Sequence, residues 1–194
     1  MADKPKAEDG RFYDLLEKLF KEIDQESIQA EVAALKKAKP ELTREQLAQH
    51  LTKKAAVRVA AVGAAAGVAG GPLAILAMAP DIFNLVLQQS RLVLSIAFLY
   101  DRKPHLKQRF KEVLATLAVA TGASAGRVVA MKGIERAAAA KIARKIFGKF
   151  LQRRIGTIAP IVGTIAGGTI NYMSMRGVGK AAVAYYSGSP DSGE

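Results

Sequence analysis

The chain contains no cysteine and no tryptophan, and only 6% of its 194 residues are aromatic. The absence of cysteine excludes a disulfide framework, thiolate catalysis and zinc sites built on cysteine. The two histidines, His50 and His105, lie in charged sequence without the spacing of paired metal ligands, and no Walker A or paired-histidine metal motif occurs. We therefore expect a protein that is not an enzyme and that carries no cofactor and no metal.

Acidic residues are scarce beyond position 50. Residues 1–50 hold nine bases and 11 acids, whereas residues 51–194 hold 20 bases and six acids, so the net charge of +12 comes from the second part. An asymmetry of this size predicts an anionic partner. Because aromatic residues are few and no helix-turn-helix, zinc-finger or RNP-type signature is present, we do not expect nucleic acid. Anionic lipid is then the predicted partner, and another membrane protein or a second copy of the chain remains open.

Two long runs of the sequence carry no charge. Val59–Pro80 covers 22 residues and Ile155–Met175 covers 21, and both are rich in small residues. Each is long enough to cross a bilayer, but the first is interrupted at Gly70-Gly71-Pro72, a turn signal. We expect Val59–Ala79 and Ile155–Met175 to form apolar Gly/Ala-rich helical hairpins.

Three glycine pairs have i, i+4 spacing, and two of these pairs lie in the two charge-free runs. Such pairs remove side chains from one helix face and allow two helix backbones to approach closely, in membranes and in soluble cores alike. The predicted helix-packing residues are Gly63, Gly67, Gly122, Gly126, Gly163 and Gly167.

Apolar spacing predicts helices throughout, and no alternating strand pattern is visible. We expect an all-α, single multi-helix domain. Residues 1–40 should form N-terminal amphipathic helices, residues 41–186 the main helical domain, and residues 187–194 a disordered tail. The predicted helices cover about Phe12–Ile23, Ile28–Lys39, Thr43 toward Gly70, Leu73–Met78, Ile82–Tyr100, His105–Val119, Ile134–Arg154 and Ile161–Tyr186.

Several helix boundaries have specific signals. Thr43-Arg44-Glu45-Gln46 is typical of a capping box, with Leu42 and Leu47 spaced as its hydrophobic staple. Pro80 should end the short helix before it, and Asp81 is positioned to cap the helix after it.

The helix predicted over Ile134–Arg154 is amphipathic. Its apolar residues recur every four positions, and a second i+4 stripe is entirely basic. Basic amphipathic helices bind anionic membrane surfaces, although an ordinary solvated face has the same pattern. The candidate lipid-binding residues are Lys132, Arg136, Lys141, Arg144, Lys145, Lys149, Arg153 and Arg154.

More than half of the chain resembles the EcsC family of bacterial proteins. The similar features occur in the same order: Leu51-Thr-Lys-Lys-Ala-Ala, Gly70-Gly71, Ala79-Pro80-Asp81, Arg91–Tyr100, Ile158–Gly163, Asn171-Tyr172, Arg176 and Ala181–Tyr185. One departure is Tyr100-Asp101, where the family pattern tends to have Tyr-Gly. The resemblance implies a helical, membrane-linked protein whose main domain covers residues 41–186, and it implies no catalytic residues.

Two functions fit the sequence. The first is a non-enzymatic, membrane-associated helical protein that engages anionic lipid through the basic helix and the apolar hairpins. The alternative is a soluble lipid-binding or carrier protein whose Gly/Ala segments line an internal cavity. The polar N-terminus shows no secretory signal, so we expect a location in the cytoplasm, peripheral to or inserted in the cytoplasmic membrane.

Overall fold

The computed structural model describes residues 7–66, 72–102, 106–120 and 163–188, together with residues 142, 144, 145 and 148. Over these ranges the chain forms six α-helices and no strand, which confirms the all-α prediction. In chain order, α1 to α6 span Ala7–Lys21, Gln25–Ala38, Arg44–Ala66, Pro72–Leu99, Leu106–Ala120 and Gly163–Gly188.

The first two helices pack through large apolar side chains. Tyr13 and Phe20 of α1 each place their ring centroid 5.4 Å from that of Phe110 in α5.

Helix α2 begins three residues before its predicted start. Asp24 caps this helix, and its side chain accepts a hydrogen bond from the Ser27 N–H at 2.9 Å. The N-cap role of Asp24 was not predicted from the sequence.

The predicted capping box at the start of α3 is present. The Gln46 N–H donates to Thr43 Oγ1 at 3.2 Å, and the Thr43 N–H donates to Gln46 Oε1 at 2.8 Å. Two backbone donors that the helix itself cannot satisfy are thereby paired. Of the two staple residues, Leu47 is buried and Leu42 packs partly buried against the core.

The predicted break at Pro80 is wrong. Helix α4 continues from Pro72 through Pro80 and Asp81 to Leu99, so Leu73–Met78 is not a separate helix and Asp81 is not an N-cap. Proline within a helix loses one backbone hydrogen bond and its ring clashes with the carbonyl four residues earlier, but a long helix can continue past it with a local kink. Pro72 occupies the first helical position, where its missing N–H has no partner to lose.

A glycine-type turn ends α4, although no glycine is present there. The Arg102 N–H donates to Ala97 O at 3.0 Å and the Asp101 N–H to Phe98 O at 3.1 Å, the two bonds of a Schellman motif. Asp101 has φ 57°, a left-handed conformation that glycine usually provides. This is the position where the resemblance leads one to expect glycine.

Helix α6 lies between α3 and α5 and runs antiparallel to both. The Asn171 Nδ2 donates to Val59 O of α3 at 3.3 Å. The Tyr186 hydroxyl donates to Glu112 Oε2 of α5 at 3.2 Å. The pair α3–α6 forms the most extensive helix contact in the described part of the chain.

The last helix extends further than predicted. It includes Ser187 and Gly188, which the sequence analysis assigned to a disordered tail, while residues 189–194 lie outside the described residues. Among the residues that the structure describes, no helix combines the length and the apolar character needed to span a bilayer.

Candidate lipid-binding face

Most of the predicted basic helix lies outside the described residues. This applies to Lys132, Arg136, Lys141, Lys149, Arg153 and Arg154. Arg144 and Lys145 are helical and exposed, and Ile142 packs partly buried against the core. The lipid-binding role of this segment stays a prediction.

The predicted glycine pairs are similarly untested. Gly63 lies in α3, and Gly163 and Gly167 lie in α6, but the packing around all three lies outside the described part of the structure, as do Gly67, Gly122 and Gly126. Their role in helix packing stays a prediction.

A different glycine makes the close helix contact that the structure does describe. Gly179 of α6 lies against Thr52 of α3, so that a Cβ built on Gly179 would fall 2.9 Å from Thr52 Cβ, and closer still to the Thr52 hydroxyl. Thr52 cannot easily turn away, because its hydroxyl donates to Ala48 O at 2.7 Å. The absence of a side chain at position 179 therefore sets how closely the two helices approach.

Other small residues lie near this close contact. On α3, Ala48, Thr52 and Ala56 recur every four positions and are buried, and on α6 Gly179 and Ala182 are buried. Such a seam leaves little room between the helices. Exposed residues flank the seam on both helices and form the outer surface beside it.

That outer surface is basic. Lys53 and Lys180 are the chain neighbours of Thr52 and Gly179, and both are exposed. We call the exposed residues around the seam the α3–α6 face: Lys53, Lys54, Val57, Arg58, Met173, Arg176 and Lys180.

The two helices that form the α3–α6 face carry almost no acidic residues. Helix α6 contains no acidic residue, and α3 contains none after Glu45. None of the five cations forms an ion pair with a described residue. The Arg176 guanidinium lies 6.0 Å from the centre of the Tyr172 ring, within reach of a cation–π interaction.

Apolar side chains project from the same face. Val57 is 55% exposed and Met173 is 66% exposed. Apolar side chains among unpaired cations are the arrangement by which amphipathic surfaces bind anionic lipid: the cations meet the headgroups and the apolar tips enter the boundary of the acyl chains.

The alternative of an internal lipid cavity concerns Gly/Ala segments whose side chains lie mostly outside the described residues, so it stays a prediction. An apolar pocket lies beneath α1, between α4 and α5, with a volume of about 10 Å³. That volume is at the lower limit for one water molecule. Its lining includes Leu16, Val86, Phe110, Val113 and Leu117. An acyl chain does not fit this pocket.

A cluster of titratable groups lies where α2, α4, α5 and α6 meet. Burial, followed by the nearby charge of Glu112, raises the pKa of Tyr186 well above its ordinary value. The Arg109 guanidinium lies 4.7 Å from the centre of the Phe98 ring and donates to Gln25 Oε1, and burial lowers its pKa. Each of these groups is engaged with a neighbouring helix, so the arrangement supports a structural role.

Residues Gly122–Gly126 read Gly-Ala-Ser-Ala-Gly, the letters of a hydrolase nucleophile elbow. That motif requires a strand before the serine and a helix after it. Here helix α5 precedes it and ends at Ala120. The segment itself lies outside the described residues, so the expectation that Ser124 is not catalytic stays a prediction.

No protein-family model matches the chain, and no curated protein or solved structure matches it significantly. The resemblance to the EcsC family therefore rests on the segments quoted above and stays an expectation. The α3–α6 face was missed from sequence because its cations are split between residues 53–58 and 176–180. The available signal was the lack of acidic residues along both helices.

Proposed function

We propose that this protein is a non-enzymatic, membrane-associated helical protein that binds anionic lipid bilayers through the α3–α6 face. The observation that carries the proposal is the exposure of Val57 and Met173 among five cations with no acidic partner in the described part of the chain. The predicted basic helix at Ile134–Arg154 would add further cations to the same membrane contact.

Electrostatic attraction supplies enough free energy for this role. Each Lys or Arg held near an anionic membrane surface contributes about 1 kcal/mol. The five cations of the α3–α6 face would then contribute about 5 kcal/mol at most, because screening by salt reduces the value. Binding should accordingly weaken as ionic strength rises.

The apolar hairpins remain part of the proposal. Helix α3 runs into the first charge-free run and α6 begins within the second. Both runs therefore adjoin the α3–α6 face along the chain. Contact of the face with lipid would bring these segments to the bilayer.

The test is co-sedimentation with vesicles of phosphatidylcholine alone and of phosphatidylcholine mixed with phosphatidylglycerol. The face variant changes Lys53, Lys54, Arg176 and Lys180 to Gln. The control variant removes the same number of charges from α1, α2 and the adjoining turn by changing Lys18, Lys21, Lys37 and Lys39 to Gln. We expect the parent and the control to bind the anionic vesicles and the face variant to lose most of that binding.

A third variant, with Lys141, Lys145, Lys149 and Arg153 changed to Gln, separates the two basic regions. Loss of binding in this variant alone would assign the contact to the predicted basic helix and not to the α3–α6 face. Equal binding of the parent to neutral and anionic vesicles would contradict the proposal, as would equal losses in the face and control variants.

A further inference from the structure

We infer that α6 lies along the membrane surface and that Val57, Val119 and Met173 enter the bilayer together. This inference rests on the proposed function and adds to it the orientation of the molecule. In the described part of the chain, these three are the large hydrophobic residues that are exposed, at 55%, 40% and 66%. They belong to three different helices.

The three helices form one layer with α6 in the middle. Helix α3 touches α6 through Thr52 and Gly179, whereas α5 approaches α6 where Ala120 O lies 4.0 Å from a Cβ built on Gly177. Gly177 and Gly179 thus mark two edges of α6. The outward side of α6 between these edges carries Met173, Arg176 and Lys180, all exposed.

The antiparallel register places the three apolar residues at nearly the same level. The contacts Thr52–Gly179 and Val59–Asn171 put Val57 beside residues 173–174 of α6. The contacts Glu112–Tyr186 and Ala120–Gly177 put Val119 beside residue 178. All three therefore meet α6 within five residues, a length of about 7.5 Å along the helix axis.

Val57 and Val119 also lie on the exposed sides of their own helices. Val57 is exposed and lies five residues after Thr52, about 140° around the axis of α3, so it stands beside the seam and not within it. Val119 is seven residues after Glu112 and thus on the same face, and Glu112 accepts the hydrogen bond from Tyr186 of α6. Val57 and Val119 accordingly border the outward side of α6 from its two edges.

A bilayer fits this surface better than a single lipid or a partner helix. The three apolar side chains come from three different helices, and exposed cations lie on two of these helices. Cations interspersed among them match a plane of anionic headgroups, with the apolar tips reaching below the phosphates. Shape and charge both favour an extended anionic surface.

The lack of native cysteine makes a direct test possible. The variants Val57→Cys, Val119→Cys and Met173→Cys would each be labelled with an environment-sensitive fluorophore and mixed with the anionic vesicles. Ala33→Cys, at an exposed position of α2, is the matched control. We expect a blue shift and quenching by spin-labelled lipid at positions 57, 119 and 173, and neither at position 33.

A second measurement uses unlabelled protein. Met173→Ser should lower the partition coefficient for anionic vesicles about tenfold, because the variant loses the apolar side chain that would be buried in the bilayer. Ala33→Ser should leave the coefficient unchanged. Circular dichroism would show that both variants remain folded.

The outcomes separate the orientation from the proposed function. If the protein binds the vesicles while positions 57, 119 and 173 keep their emission in water, the orientation is wrong and lipid binding stands. A shift at position 33 equal to that at position 173 also overturns the orientation. If the parent does not bind the vesicles at all, both the proposed function and the orientation fail.

Discussion

The pair α1–α2 and the pair α3–α6 differ in how they pack and in what they expose. Large side chains hold α1 and α2 to the core, among them Tyr13, Phe20, Ile28 and Val32. The α3–α6 contact is built from small residues, with Gly179 directly against Thr52. The surface of α1–α2 carries charges of both signs, whereas the surface of α3 after Glu45 and of α6 carries only positive charges.

This difference indicates that the α1–α2 pair and the α3–α6 pair have different roles. Mixed charges on an amphipathic helix keep its outer side in water and satisfy one another locally, as Lys21 and Glu17 do at 3.7 Å. A surface of one sign repels itself and is stabilised by a partner of opposite charge. The α1–α2 pair therefore completes the core, and the α3–α6 pair is the side from which we expect binding.

The largest expected effect is on the packing of α1. Phe110 is buried and contacts the rings of both Tyr13 and Phe20. Phe110→Ala should lower the free energy of unfolding by about 3–5 kcal/mol, since it removes a buried ring and leaves a cavity. Urea denaturation measures this, with Val119→Ala on the same helix as an exposed control that should change it by less than about 0.5 kcal/mol.

The same variant sharpens the comparison of the two pairs. Well below its unfolding midpoint, Phe110→Ala should still bind anionic vesicles like the parent, because the α3–α6 face is unchanged. If binding were lost while the protein remained folded, α1 would have to belong to the lipid contact.

An intermediate effect is expected at the α3–α6 seam, from two glycines of one helix. Gly179→Ala would insert a Cβ into Thr52 and should lower the free energy of unfolding by about 1–2 kcal/mol, because overpacking outweighs the gain in helix propensity. Gly177→Ala meets Ala120 O only at 4.0 Å and should be neutral or stabilising by up to about 1 kcal/mol.

Thermal melts of the two glycine variants beside the parent decide this point. Equal midpoints for Gly177→Ala and Gly179→Ala would show that α3 and α6 are not held at the distance described. The identical chemical change in both variants cancels the contribution of helix propensity.

The sequence predicted the helices well where a local signal exists. The capping box at Thr43–Gln46 and the apolar spacing of α1 depend on residues within a few positions of one another, so they can be read from the chain alone. Pro80 was misinterpreted because a proline within a long helix and a proline that ends one have the same local sequence, and only the contacts of the whole helix distinguish them.

The candidate site was harder to predict, since it depends on which helices become neighbours. Residues 53–58 and 176–180 lie beside each other because Gly179 leaves room for Thr52. This contact is between residues that are distant in sequence. No periodicity along either helix indicates that contact. The all-positive character of each helix, by contrast, was visible in the sequence.

Effects of equal or smaller size are expected at Asp101, which joins the two pairs. Its carboxylate accepts hydrogen bonds from Lys36 Nζ of α2 at 2.7 Å and Arg44 Nη2 of α3 at 2.8 Å. Asp101→Ala removes both exposed pairs and leaves alanine at positive φ, so we expect a loss of about 1–2 kcal/mol in the free energy of unfolding. Asp101→Gly loses the same pairs but relieves the backbone, so its change should stay within about 0.5 kcal/mol. The difference between these two variants in urea denaturation measures the backbone contribution, and high salt should bring Asp101→Gly still closer to the parent by screening the two ion pairs. If Asp101→Gly proved as destabilising as Asp101→Ala, the loss would come from the ion pairs alone, and the positive φ at residue 101 would not contribute to the free energy of unfolding.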